Sequence, residues 1–562
     1  MNSFAKIQLY KLVKIIGIVL IINVLGYFLY HRFDLTADKR YSLSEPSLNI
    51  LKNVSEPVYI DVYLEGNYPA EFNRLHTETQ QLLEEFSAYN NQIVVQFINP
   101  VENEEDRVEV MKKMFQQGII PLNVTVNNKG KQSQEVIYPW AMVTNGKKTA
   151  KVALLKNILG AGIEQKIVSS VQHLEYAFVD AIQKVSVEKQ KKIAVLKGNG
   201  ELSDAYIADF LKTIKDQYYL APFTLDSVEN QPIKTLEDLQ KYDLTIVAKP
   251  TQKFTDNEKQ VLDQFVMNGG KTLWLVDGVR AEMDSLYNPT GEMLAYTNEL
   301  NLNDLFFKYG FRINPLLVKD EQATPIKLAT GQEGSQTQYS NYNWKFSPYI
   351  YPKTNHPIIK NTDGLKLEFA SPIDTLNNGI KKTVLLETSK YSKKIGTPSV
   401  VSLAMVEEPF DEANYKVKDS SIVGLLLEGK FTSVYQNRVL PFEYKNFISK
   451  SKNQNKMIVV SDGEIIKNQL DSNLEPLELG YDKWTKNFFG NKEFLLNSVN
   501  YLLDDKGLLD IRSKDVDLPI LNRTEVSENY TKIQLIAVGI PLLFLLIFGT
   551  FFYFLRLRYK KV

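Results

Sequence analysis

Two aspartates, Asp277 and Asp462, each follow an apolar run and precede a glycine, in LVDG and VSDG. If both runs are parallel strands of one sheet, both carboxylates reach the crevice at the strand carboxyl ends, where such folds bind ligands. Asn199 and Glu201, in the turn GNGE, approach the same edge and complete a candidate ligand site. Asp-Gly also suits a tight turn by itself, because aspartate bonds nearby backbone and glycine accepts positive φ. GNGE lacks the lysine and the spacing of a phosphate loop.

Other chemistry is scarce. The chain has no cysteine, which removes disulfides, thiolate metal sites and cysteine nucleophiles together. No G-x-S-x-G elbow offers a serine in place of the thiolate. Four histidines, His31, His76, His173 and His356, are scattered without zinc-ligand spacing. The acids Glu102, Glu104, Glu105 and Asp106 open a helix, where the macrodipole favours them, and show no EF-hand pattern. No catalysis, metal or cofactor is expected. Basic and acidic residues number 66 each, so bulk charge does not point to nucleic acid.

The elements that position these residues alternate. VYIDVYL, a helix over about 71–90, IVVQFINP, an acid-led helix to about Gln117, GIIPLNVTV and EVIYPWAMV follow one another. Strand–helix–strand–helix–strand–strand is the order of a thioredoxin-like domain, with Pro121 where that fold commonly keeps a cis-proline. A short helix capped by Ser44 precedes it, and a long one over about 162–189 follows. IAVLKGNGE, DLTIVAKP and KTLWLVDGV then alternate with helices, one of them capped by Thr255 and stopped by Gly269. That alternation predicts a parallel sheet covered on both faces. From about Glu321 to Ser449 short strands and aromatic loops such as YSNYNWKFSPYIYP predict a β-rich insertion. Its tyrosines suit either a contact surface or internal packing. MIVVSDGE then rejoins the earlier sheet, with a helix over 491–503 behind it.

Both ends read as membrane helices. Residues 12–30 reach roughly 28 Å and residues 533–555 roughly 34 Å, each enough for a bilayer core. Lys6, Lys11 and Lys14 flank the first, and Arg556, Arg558, Lys560 and Lys561 the second, which places both termini in the cytoplasm. No small-x-small cleavage site follows the first helix, and without cysteine a lipoprotein anchor is excluded. Asn23 lies near mid-membrane and suits a partner helix or a bond to its own backbone. Gly539 and Pro541 place a kink in the second helix, where they also suit helix contact.

The stretches FDLTADKRYSLSEPSLNILKNVSEPVYIDVYLEGN, MNGGKTLWLVDG and FFGNKEFLLNSVNYLLDDKGLLDIRSK resemble the gliding-motility ABC-transporter auxiliary family, GldG. The resemblance implies a substrate-binding-like partner of an ABC-2-type permease and a separate ABC ATPase, in Bacteroidetes. It also implies a middle domain similar to class I glutamine amidotransferases, whose nucleophile this chain lacks.

The expected organisation is therefore α/β and membrane-anchored. A cytoplasmic N-terminus (1–11) and first membrane helix (12–30) lead to a juxtamembrane segment (31–57) and a thioredoxin-like domain without CxxC (58–160). A connecting helix (161–190) leads to the amidotransferase-like domain (191–320, completed by 450–516), interrupted by the insertion (321–449). A linker (517–532), the second membrane helix (533–555) and a cytoplasmic tail (556–562) follow. The expected protein is a non-catalytic subunit of an ABC complex in the bacterial inner membrane, its bulk periplasmic and engaging cargo or envelope partners. A solute-binding receptor and an envelope hydrolase using the Asp277/Asp462 edge are the alternatives. No Walker A motif occurs, so nucleotide hydrolysis belongs to another chain.

Overall fold

The computed structural model describes residues 10, 12–21, 23, 42–66, 68–101, 107–128, 131–415, 420–504, 507–513 and 523–559. The chain divides into two units, Met1–Asp515 and Val516–Val562.

The first sheet of the larger unit is built from β1 (Val58–Val62), β2 (Ile93–Phe97), β5 (Trp140–Asn145) and β6 (Lys148–Ala153), in the order β2-β1-β5-β6. β1 runs parallel to β2 and antiparallel to β5, which is antiparallel to β6. Ahead of it comes α1 (Glu45–Lys52), with Pro46 in its first turn. Ser44 precedes α1 as expected, but its hydroxyl meets that of Ser47 and caps no helix N–H. Between β1 and β2, α2 (Ala70–Tyr89) buries Phe72, Leu75, Leu83 and Phe86, one helical stripe. α3 (Arg107–Gln116) follows β2.

GIIPLNVTV does not join this sheet. It forms β3 (Leu122–Asn128), which pairs only with β4 (Lys131–Ile137) as a separate hairpin. The expected single strand EVIYPWAMV is broken at Tyr138–Pro139, where proline has no N–H for a ladder, so its second half alone enters the sheet as β5. Among the described residues the cis peptide bond lies at Thr397–Pro398 and not before Pro121.

α4 (Ile163–Ser186) leads to the second sheet. In chain order this contains β7 (Lys192–Lys197), β8 (Tyr219–Thr224), β9 (Leu244–Ala248) and β10 (Lys271–Leu275). Interleaved are α5 (Asp204–Lys215), α6 (Pro232–Leu239) and α7 (Asp256–Met267). The order across the sheet is Lys381–Glu387, Ile422–Gly429, Asn455–Val460, β10, β9, β7, β8. From Asn455–Val460 to β8 every pairing is parallel, and Ile422–Gly429 is antiparallel to both neighbours. MIVVSDGE thus rejoins the earlier strands as its apolar run requires. Two strands from the supposed insertion also complete this sheet, so 321–449 is not a separate β subdomain.

Both sheet faces are covered. Ile193 and Val195 of β7 pack with Phe210 of α5 and with Phe494 and Val499 of the helix Asn491–Leu503. Ala194 and Leu196 point the other way, toward Leu236 of α6 and Phe265 of α7. This two-sided burial is why the strands read as continuous apolar runs instead of alternating. β8 closes the sheet as an edge strand, where Pro222 costs no ladder bond on its free side. The tyrosine-rich stretch divides: Trp344, Phe346 and Ile350 are buried, while Tyr339 is exposed.

In the smaller unit, Tyr530–Arg558 is long and apolar enough to cross a membrane, with mean hydropathy 2.6. The helix continues through Pro541, and nothing lies within 4 Å of a side chain built at Gly539. At the other end of the chain Leu12–Ile21 is a shorter apolar helix; residues 22 and 24–30 of the expected span lie outside the described residues, as do the flanking Lys6, Lys11, Lys560 and Lys561. Asn23 donates to the carbonyl of Val19 at 2.9 Å, the backbone contact within its own helix.

The start of α7 follows its sequence signature. Thr255 Oγ1 accepts from Glu258 N at 3.2 Å and Glu258 Oε2 accepts from Thr255 N at 2.7 Å, a reciprocal capping box. Thr255→Ala is expected to lower stability by about 1 kcal/mol, read as a reduced urea midpoint of the detergent-solubilised chain with unchanged m-value.

Candidate functional site

Parallel strands send their carboxyl ends to one edge, so the loops after β9, β10 and Asn455–Val460 are neighbours there. The structure brings Asp277 and Asp462 together at this edge, as the strand order demands. It adds two residues that were not singled out, Lys249 after β9 and Glu464 after Asp462. Asp277, Asp462 and Glu464 each present an oxygen within 4.8 Å of the others, and all three are buried.

Lys249 supplies the neutralising charge. Its ammonium lies 3.3 Å from Asp277 Oδ2, 3.5 Å from Glu282 Oε1 and in contact with Glu464 Oε1. Burial alone would push the lysine down, but Asp277, Glu464 and Glu282 hold it above its ordinary range. Backbone donors take most of what remains. Gly463 N donates to Asp277 Oδ1, Glu464 N to Asp462 Oδ1 at 2.7 Å, and Glu368 N to Asp462 Oδ2 at 2.8 Å. Only Glu464 Oε2, among the oxygens of these three carboxylates, has no partner. Burial first, then Glu464 and Asp277, push the Asp462 carboxyl well above its usual range. Glu464 is pushed up to about 8, by burial first and by Asp277 second, against the pull of Lys249.

The roles of the two Asp-Gly steps differ. Asp462 folds back on its own turn through Glu464 N, as a turn aspartate does, and also holds Glu368. Asp277 instead reaches across to Gly463 in the loop of the neighbouring strand. That approach is close: a Cβ on Gly463 would stand 2.5 Å from Lys249 Cβ. Lys249 contacts two of the three acids, Asp277 and Glu464, and leaves Glu464 Oε2 free.

Asn199 and Glu201 are not held in this cluster by any of their hydrogen bonds. They sit after β7, whose neighbours β8 and β9 diverge in chain order, so this is the topological switch point of the sheet. Asn199 N donates to Glu201 Oε2 at 2.8 Å, and Asn199 Nδ2 to Glu258 Oε2 at 3.2 Å. The turn is thereby tied to the start of α7. Asn199 O accepts from Thr251 and Gln252. Asn199 Oδ1 and Glu201 Oε1 are buried without partners. Burial raises the Glu201 carboxyl, against the backbone N–H groups that bond it. The acidic run Glu102, Glu104, Glu105 and Asp106 lies outside the described residues.

Lys249 was legible in principle, as a charge ending the apolar strand IVAKP, and Glu464 as the acid two residues beyond Asp462. Only the strand order shows that they meet.

Comparison with known proteins places this architecture. Residues 190–498, more than half of the chain, match the family described as an ABC-type uncharacterized transport system. The chain belongs to that family. Residues 37–144 match a domain of unknown function, DUF7088. No curated protein matches the chain. Among solved structures it is similar to the mmIFT52 N-terminal domain, at 14% identity and a TM-score of 0.31, over 56% of this chain and 99% of that one. Family membership indicates an accessory role in an ABC transport system, and the apolar helices at the two ends are consistent with membrane anchoring.

The charge cluster makes stability pH-dependent. The folded chain holds a proton on Glu464 up to about 8, whereas the unfolded chain releases it near 4.5, so this contribution is complete below 4.5 and is lost as pH rises through 8. Glu464→Gln is expected to flatten the fall in urea midpoint over that range; an unchanged slope would refute the assignment. Lys249→Met leaves the buried Asp277 without its cation and is expected to cost roughly 3–5 kcal/mol at neutral pH in the same measurement.

Proposed function

We propose that the chain is a non-catalytic, membrane-anchored auxiliary subunit of an ABC transport complex associated with gliding motility. Its terminal helices pack against an ABC-2-type permease, and a separate ATPase hydrolyses nucleotide. Both termini are cytoplasmic, and the α/β body stands in the periplasm, where it engages cargo or envelope partners. The observation that carries this reading is the family match over residues 190–498. The unburied apolar helix Tyr530–Arg558 supports the anchoring.

The strand order supports two domain resemblances. β2-β1-β5-β6, with the β3–β4 hairpin set aside and α4 following, is the order of a thioredoxin-like domain. The doubly wound sheet from β7 onward is similar in plan to class I amidotransferases. Both lack the residue their relatives use, because the chain has no cysteine. At the turn after β7, where a nucleophile would stand, the residues are Gly198, Asn199, Gly200 and Glu201. Shape is retained here without the chemistry.

Gentle detergent purification of the tagged chain from its native membrane, followed by mass spectrometry, tests the proposal. Stoichiometric recovery of a permease and an ATPase is the expected result. Recovery of the chain alone, with both helices intact, would overturn it.

A second reading, a solute-binding receptor, is favoured by the two unpartnered acceptors at the switch point, Asn199 Oδ1 and Glu201 Oε1. It predicts that a donor-bearing solute, screened as a panel of small amines and polyols, raises the melting temperature and that Asn199→Ala abolishes the rise. Melting unchanged across the panel would leave the auxiliary-subunit reading in place.

A further inference from the structure

We propose that α4 is a two-point clamp that mechanically couples the two ends of the body, so that loosening either end loosens the other. The ends in question are α1, which follows the N-terminal apolar helix in the chain, and the 3-10 turn Leu508–Ser513, which precedes the C-terminal one.

The first clamp holds α1. Glu175 of α4 is buried, and its Oε1 accepts from Ser44 N at 2.7 Å and from Ser47 Oγ at 2.7 Å. A carboxylate at a helix start also meets the positive end of the helix dipole. At the other end of α1 the apolar side chains of Ile50, Leu51 and Val54 are buried. There a cavity of about 320 Å³, lined by Asn49, Ile50, Asn53, Gln183 and Ser186 among others, separates its last turn from the end of α4. Asn90, capping α2, holds that last turn through the carbonyls of Leu51 and Val54, at 2.7 and 3.0 Å.

The second clamp holds the 3-10 turn. Arg512 is buried, its guanidinium 5.1 Å from the ring centre of Tyr176, the residue next to Glu175 on α4. Arg512 Nη2 donates to Lys360 O at 2.7 Å and to Glu493 Oε1 at 2.8 Å. Glu493 Oε1 also receives Lys156, from the segment joining β6 to α4, at 3.0 Å. Despite burial, Lys156 and Arg512 bring the Glu493 carboxyl down to about 2, so the carboxylate stays charged. Buried, multiply bonded ions of this kind hold one geometry, unlike exposed pairs.

Consecutive residues of one helix therefore receive the two ends, and α1 also packs directly on the 3-10 turn. A shift of either end cannot be absorbed between the clamps without breaking a buried polar contact. The inference rests on the reading that both ends continue into membrane helices only for its biological use; the coupling itself belongs to the body.

Hydrogen exchange of the full chain tests it. Glu175→Gln is expected to speed exchange of α1 amides about fivefold, as loss of a hydrogen bond worth about 1 kcal/mol implies, and also to speed exchange within Leu508–Ser513. Arg512→Met is expected to act on both segments in the same way, and the double variant by less than the product of the two. Should either variant fail to fold, Ser47→Ala and Arg512→Lys form the same cycle with milder changes. Variants that loosen only their own end, with multiplicative effects in the double, would overturn the clamp. The readout is internal to the body, so failure to recover a permease would leave this result untouched.

Discussion

Three carboxyl groups and one ammonium meet where β9, β10 and Asn455–Val460 end, all withdrawn from water. Concentrated negative charge in so poorly screened a place costs several kcal/mol per ion unless donors are supplied. The parallel sheet makes the problem and supplies the answer. Because its parallel strands end at one edge, their loops bring acids together, yet backbone N–H groups are presented to them there. Lys249 completes the neutralisation from a backbone with φ of 54°, a conformation that L residues rarely adopt. It is kept there by what surrounds it: Gly463 lies against its Cβ, and its N–H is taken by Leu275 O at 2.8 Å.

This constraint changes how the carboxyl edge is to be understood. In doubly wound folds the crevice beyond the strand ends is the place for ligands. Here the part formed by β9, β10 and Asn455–Val460 holds its own counter-charge in Lys249, and Asp277 and Asp462 tie its loops together. What is left of the crevice is the turn after β7, bound to the capping box of α7 through Glu258. Such an edge ties together loops from distant parts of the chain, Glu368 among them.

Much of this was legible in the sequence where one physical signal dominated. Two-sided burial made the strands near Ile193, Leu244, Lys271 and Asn455 into apolar runs, and Thr255 marked the start of α7. Asp277 and Asp462 could be placed at one edge because parallel strands leave no other choice. What escaped depended on partners far away in sequence. Lys381–Glu387 and Ile422–Gly429 look like insertion strands until the pairing of the second with Asn455–Val460, and of the first with the second, is known. β8 carries Pro222 and half-exposed positions, so its run is weak, and β4 and β5 read as one strand because Pro139 alone divides them. Lys249 and Glu464 went unnoticed since a single charge beside an apolar run is ordinarily solvated. Nothing local shows that the two lie face to face.

The same distinction bears on how the body works as one piece. Its four-stranded and seven-stranded sheets share no strand, and α4 reaches toward both: it packs on β5 and β6, while Asp180 accepts from Gln217 at 2.9 Å just before β8. Tyr176 OH lies 3.4 Å from Asn500 Nδ2, whose amide oxygen accepts from Tyr218, so polar contacts continue from α4 into the second sheet. Apolar packing alone tolerates sliding, because it is non-directional. Directional contacts between buried groups do not, since each displaced donor or acceptor is left without water. A helix that carries Glu175, Tyr176 and Asp180 along two turns is thus fixed in rotation as well as position. Any accessory role that requires the body to move as a unit with its ends depends on that fixation.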